Sequence, residues 1–295
     1  MPRGWRLIAI AALLGASSFV YAQTEATASR GLLWKATRNQ GVVYLVGSLH
    51  MLTKEYYPLG SDLEAAFAES DLLVEEIDLG LLLAPESQMA LLRESLLPAD
   101  QSLDQVVSSE TYALVTERVG RLGLPLEPLR RFKPWGLALT LLGLEWQKAG
   151  FDQSLGLDRY FFDRAQGEGM QVQGLETVEF QISRFNEMTA DEQDRLLAQT
   201  LNEFETQVGA VTELANSWKS GDAETIERIV LHDLKDEPGL YESLLVERNR
   251  NWLPTIEALF DRPRSAFLVV GAAHLVGPDG LVAMLQSKGY TVEQL

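Results

Sequence analysis

Two short motifs could carry chemistry: Gly47-Ser48-Leu49-His50 and Gly271-Ala272-Ala273-His274, each directly after an apolar run. The chain has three histidines, at 50, 232 and 274, so imidazole chemistry must draw on these. In a parallel α/β sheet, ligands gather at the carboxyl ends of strands. Both motif histidines fall at such ends, and the glycines let the backbone turn as it leaves each strand. If the two strands are neighbours, both imidazoles converge on one point. Two histidines in the same local context favour a shared site over two unrelated hydrogen-bonded residues. His232, late in a helical run beside Asp233, reads instead as a cation at a helix C-terminus.

Carboxylates fall in similar places. Leu72-Leu73-Val74 runs into Glu75, Glu76 and Asp78. Alternation puts Glu76 and Asp78 on one face and Glu75 on the other. Gly174-Leu175-Glu176-Thr177 repeats the arrangement, with Glu179 and Gln181 flanking. Such acids are ligands, bases, or side chains merely solvated beyond the sheet. Two histidines with one or two carboxylates suit Zn, Mn, Co or Fe. They equally suit acid–base chemistry without a metal. Arg248, in Glu247-Arg248-Asn249 and followed by Trp252 on the same helix, can pair with a site carboxylate or hold substrate. Asp158 opens a helix and reads as a helix-start charge. No HExxH helix, Gly-x-Ser-x-Gly elbow, phosphate loop or dinucleotide fingerprint is present.

The elements that must position these groups follow from periodicity. Val42–Gly47, Leu72–Val74, Met170–Leu175, Ser265–Gly271 and Tyr290–Glu293 read as strands, and Leu32–Ala36 as a short apolar run. Helical spacing covers 86–97, 102–122, 130–148, 156–167, 190–218, 223–232, 239–260 and 277–288. The two ends share an order of strand, GxxH, helix, strand. The predicted fold is α/β, with a mixed, mostly parallel sheet built from these two units. A large helical insertion or lid fills about 86–262, and residues 23–295 form one domain.

Composition narrows the partners. Asp plus Glu number 42 against 25 Lys plus Arg, a net charge of −17, which disfavours nucleic acid and anionic headgroups. The absence of cysteine excludes disulfides, thiolate metal sites and cysteine nucleophiles. Residues 1–22 read as a Sec signal: Arg3 and Arg6, the apolar stretch Leu7–Val20, then a Val20-Tyr21-Ala22 cleavage site. The expected location is periplasmic or secreted, with an inner-membrane anchor as the alternative if the signal stays uncleaved. No later apolar run has transmembrane length.

The segments VYLVGSLHML, SDLLVEEID, LDRYFFDRA, QGLETVEFQ, SWKSGD, ERNRNWLPTIE and FLVVGAAHLVGPDG, with Trp34, resemble the TraB/GumN family. The likeness extends over Gly31–Leu295 and reaches the Tiki metalloproteases and the ChaN and erythromycin-esterase-like group. The resemblance implies metal-dependent peptide hydrolysis with His50, His274 and Glu76 at its centre. Glu176 matches the family's GLE segment and Arg248 its ERN segment. The expected function is an exported metallohydrolase of peptides, or of a small-molecule substrate. His50, His274 and a glutamate would hold Mn, Co or Zn, the other glutamate would act as base, and Arg248 would stabilise the oxyanion. The alternatives are a metal-independent histidine esterase and a non-enzymatic haem-, metal- or peptide-binding protein.

Overall fold

The structure is a computed structural model that describes residues 30–231, 234 and 237–295. The apolar leader and His232 lie outside the described residues. Six strands form one sheet: β1 (Leu32–Arg38), β2 (Gly41–Ser48), β3 (Ser70–Glu75), β4 (Gln171–Gly174), β5 (Ser265–Gly271) and β6 (Thr291–Gln294). Their spatial order is β4-β3-β5-β2-β1-β6. β4, β3, β5 and β2 run parallel, while β1 is antiparallel to both β2 and β6. The sheet is mixed and mostly parallel, as the pattern predicts.

The register positions the site. β5 lies between β2 and β3, so the chain's two ends interleave at the sheet centre. Ser48 is opposite Gly271, and Glu75 is opposite Val269. Both GxxH motifs therefore leave the sheet from adjacent strands, about 4.8 Å apart. Val43, Leu45, Val46 and Ala266 to Val270 are wholly buried. Central parallel strands covered on both faces carry such unbroken apolar runs. Leu32–Ala36 proves to be most of a full strand, β1. A two-residue turn joins it to β2, with Asn39 at a φ of 54° that asparagine tolerates.

The middle is helical, but its breaks are finer than the spacing suggests. The stretch 102–122 is two helices, Leu103–Val106 and Ser109–Arg121. The Ser108 side chain accepts the Thr111 N–H and starts a new helix. The stretch 190–218 divides at Glu203 into Ala190–Asn202 and Phe204–Ser220. A break that keeps the apolar stripe inward leaves the periodicity intact, which is why it stays hidden. A further helix, Val178–Asn186, begins where the Thr177 side chain accepts the Phe180 N–H. The stretch 239–260 contains a wide π turn, Glu242–Val246, ahead of the helix Glu247–Leu259.

Apolar side chains gather around the sheet and, separately, among the middle helices. At the sheet, Phe267 meets Phe161 and Phe67 with ring centroids 4.6 and 5.3 Å apart. Phe267→Ala should cost about 3–5 kcal/mol in chemical denaturation. Leu81→Ala, at a side chain 63% exposed, should change stability by less than about 0.5 kcal/mol.

Candidate functional site

His50 is set by two contacts with distant segments. Trp218, on the helix Phe204–Ser220, donates its indole N–H to Gly47 O at 2.8 Å and pins the end of β2. The loop that follows lies against the start of the helix Leu157–Glu168, where Leu157 N–H bonds Leu49 O at 3.1 Å. A Cβ at Gly156 would sit 2.3 Å from His50 O, so this approach requires glycine. Asp158 consequently faces the ring, with His50 Nδ1 and Asp158 Oδ2 at 2.8 Å. Asp158 is thus more than a helix-start charge: it fixes the Nδ1 proton and leaves His50 Nε2 free for the site. Burial opposes charge on His50, but Asp158, with Glu76 beyond, raises it to about 9.

His274 lies in the turn Ala272–His274 directly after β5. Its Nδ1 is 2.7 Å from Asn249 Oδ1. Asn249 Nδ2 donates to His274 O at 3.2 Å and to Asp279 O at 2.9 Å. Two carbonyls fix the amide's orientation, so its oxygen faces the ring and Nδ1 must carry the proton. The Nε2 lone pair then accepts from Arg248 NH1 at 3.0 Å. Burial, with Arg248 alongside, lowers His274 to about 3, so it is neutral. Trp252 lies against its ring at 4.5 Å.

Glu76 follows the end of β3. Its Oε1 accepts the Gly271 N–H at 2.7 Å, and its Oε2 accepts from Arg248 NH2 at 2.6 Å. Against the cost of burial, Arg248 and the two histidines hold it well below the usual carboxylate range. A Cβ built at Gly271 would lie 3.1 Å from Glu76 Oε1, 3.4 Å from His50 Nε2 and 3.7 Å from His274 Cδ2. The three side chains therefore meet over one residue that has none, the glycine of the second motif.

Glu176 arrives by backbone pairing, its N–H bonding Glu76 O at 2.9 Å. It receives Arg248 Nε on both oxygens at 3.1 Å, Arg248 NH2 at 2.7 Å and the Trp252 indole at 2.9 Å. Burial raises it, while Arg248 pulls it back in part. Gln181 donates to both Glu76 and Glu176 at 3.3 Å. Arg248 is 6% exposed and also reaches Leu244 O at 3.1 Å.

Three flanking acids lie apart from this cluster. Asp78 caps the helix Leu79–Leu82, accepting the Gly80 N–H at 2.8 Å. Glu179 sits in the first turn of its own helix. Glu75 is 2% exposed, and burial beside Asp158 pushes its carboxyl well above the usual range. Sequence reasoning missed the roles of Asp158 and Asn249, since no spacing marks a residue that fixes another's tautomer.

A metal ion is chemically compatible with this set. Both imidazoles have Nδ1 held by a partner, the usual outer support of a ligating histidine; His50 turns Nε2 toward Gly271, while His274 Nε2 is taken by Arg248. Glu76 adds an ionised oxygen, and Gly271 leaves space among them. Among the described residues, no group of three or more His, Asp or Glu side chains is so arranged that it could hold a metal ion. Arg248 is bonded to two of the donors.

Comparison with known proteins assigns the chain to a class: residues 32–294 match the TraB/PrgY/gumN family. The chain belongs to that family. It is 24% identical to the uncharacterized protein YbaP of Escherichia coli (strain K12), over 82% of this chain and 87% of that protein. It is 26% identical to metalloprotease TIKI1 of Danio rerio, over 88% of this chain but 62% of that longer protein. No solved structure matches.

Removing the carboxylate opposite His50 tests the site's electrostatics. His50 rises from 6.5 to about 9 on folding. Its contribution to stability is therefore fully present below pH 6.5 and is lost as pH rises through about 9. In Asp158→Asn, burial and Arg248 are opposed only by Glu76. Imidazole NMR should then show His50 titrating well below about 9, with that loss of stability reduced.

Proposed function

We propose that the chain is an exported, metal-dependent hydrolase that acts on peptide bonds. The observation that carries this reading is the meeting of His50 Nε2, His274 and Glu76 Oε1 over Gly271. The likeness to TIKI1, named as a metalloprotease, supports it. The apolar leader supports export, and no helix among the described residues is long and apolar enough to cross a membrane.

In this reading His50, His274 and Glu76 hold Mn, Co or Zn. A divalent ion bound there supplies Lewis acidity, which polarises a carbonyl and eases the ionisation of water. Asp158 and Asn249 hold the rings with Nε2 inward. Arg248 keeps Glu76 ionised. Glu76 Oε1 accepts the Gly271 N–H and keeps a further lone pair to offer the ion. Substrate reaches the cluster from the His50 side, where the His50, Asp158 and Glu76 side chains are 20, 16 and 12% exposed. The Arg248 and Glu176 side chains are 8 and 4% exposed.

A second reading rests on the His50–Asp158 pair, a base and its orienting carboxylate at 2.8 Å. It is a histidine-based esterase that needs no metal.

The deciding measurement is the metal content of protein purified without chelator, beside the His50→Ala/His274→Ala double variant. The expected result is about one equivalent in the parent and none in the variant, with unchanged circular dichroism. A peptide-library screen should then show cleavage by the parent alone. No metal in either protein after loading with Mn, Co or Zn overturns the metallohydrolase. Ester cleavage that survives exhaustive chelation but is lost in His50→Ala would favour the second reading.

A further inference from the structure

Among the described residues, the large apolar side chains that stand exposed are Leu81, Leu83, Met89 and Leu92, at 63, 43, 66 and 43%. A single exposed leucine is ordinary on any protein, but here all of them fall between positions 81 and 92. They lie on the helix Leu79–Leu82, the residue after it, and the helix Pro85–Glu94. The inner side of this segment is already committed, since Leu82 and Leu91 are buried in the apolar cluster of the middle helices. Met89 and Leu92, three apart, are neighbours on the outer face of their helix. A helix that is apolar on both sides is normally covered on both.

The segment is tied to the candidate site at both ends. Leu79 N–H donates to Oε2 of Glu75, the residue before Glu76, at 3.3 Å. Gly80 lies so near the helix that carries Asp158 that a Cβ there would stand 3.4 Å from the Phe162 ring. The helix Pro85–Glu94 packs on Val178–Asn186, where Asn186 Nδ2 donates to Glu94 Oε2 at 3.3 Å. That same helix carries Gln181, which bonds Glu76 and Glu176. The exposed leucines and methionine therefore border the elements that hold Glu76, Glu176 and Asp158.

Size and charge limit what can cover them. A stable interface between folded proteins takes about 20–30 residues a side, more than this segment offers to a second copy. Helices that lie on lipid carry Lys and Arg beside the apolar face. From Leu79 to Glu94, Arg93 is the one basic residue, against Glu86 and Glu94. The net charge of −17 repels anionic headgroups and a second copy alike. An extended peptide fits better. The helix Pro85–Glu94 is about 15 Å long, the span of about five extended residues. Leucine gives an apolar footing, methionine adapts to side chains of differing shape, and the acidic surroundings favour Lys or Arg elsewhere in the peptide.

We infer that this surface is the landing site of the substrate, and that it takes an extended polypeptide stretch with bulky apolar side chains and a neutral or basic charge. The inference rests on the peptide reading above and names its substrate class. Leu81, Leu83, Met89 and Leu92 are specificity-determining residues, distinct from the groups that meet over Gly271.

The test is fluorescence anisotropy of the full chain with labelled peptides of equal length, alternating Leu–Lys, Ser–Lys or Leu–Glu, at about 0.15 M salt with chelator present. Leu–Lys should bind at least about tenfold tighter than the other two. It should lose at least about tenfold in Leu81→Gln/Met89→Gln/Leu92→Gln, with circular dichroism unchanged. No binding of Leu–Lys, equal binding of Ser–Lys or Leu–Glu, or full binding by the variant overturns the inference. Dimerisation of the parent, or its binding to phosphatidylcholine vesicles, that is lost in the variant assigns the surface to another occupant and also overturns it.

A measurement on the unaltered chain stands beside the variant. A Leu–Lys peptide carrying a benzophenone should cross-link within residues 79–94, and cross-links only elsewhere overturn the landing site. These readouts need neither metal nor turnover. A chain that holds metal and cleaves peptides without preferring Leu–Lys to Ser–Lys overturns this inference alone. A chain that binds Leu–Lys through these residues, yet takes up no metal and cleaves nothing, overturns the hydrolase and leaves the apolar surface as a peptide-binding site.

Discussion

A single buried guanidinium holds the centre of this protein together. Glu76 and Glu176 come from the ends of two neighbouring strands, and their backbones are bonded to one another. Two carboxylates so close and so little exposed would repel each other and lose their hydration. Arg248 faces both, and it comes from a helix 172 residues beyond Glu76. Breaking such a buried pair by removing one partner typically costs about 3–5 kcal/mol. The docking of the helix Glu247–Leu259 over the sheet ends is therefore a condition for the site, and Asn249 and Trp252 arrive on the same helix. The helical middle accordingly supplies much of the site: Asp158, Glu176, Gln181 and Arg248 all belong to it.

The two GxxH motifs are alike in sequence and opposite in electrostatics. His50 faces a carboxylate and holds a proton easily. His274 faces an amide oxygen on one nitrogen and a guanidinium on the other, and it stays neutral. A pair of titratable groups driven apart by their surroundings is the arrangement from which acid and base roles arise. The asymmetry comes from helices that dock against each motif, not from the motifs themselves. Asp158 enters because Gly156 permits close packing on the His50 loop, and Asn249 enters because its helix crosses the turn after β5.

Much of the fold was legible. Unbroken apolar runs marked β2, β3 and β5, since central parallel strands are buried on both faces. β1 was harder to see: as the partner of β2 in a hairpin, it shows only a short apolar run. The helix divisions at Ser108 and Glu203 escaped notice because the buried stripe continues across them. In the site, His50, His274, Glu76, Glu176 and Arg248 stood out as chemical residue types at strand ends or beside an aromatic on a helix. Asp78 shared that local signal with Glu76, yet it turns away to cap the next helix.

The sequence by itself determined which residues carry chemistry and at which strand ends they lie, because residue type and periodicity are local properties. Whether the two motifs meet was decided by tertiary structure, through the insertion of β5 between β2 and β3. Tertiary structure also decided which nitrogen of each histidine carries a proton, and which glutamate the arginine grips by its fork. The physical reason is one of range. Hydrogen bonds and tautomers are set by partners about 3 Å away, and here the partners of the two histidines lie 25 and 108 residues along the chain, while Arg248 lies 172 residues from Glu76.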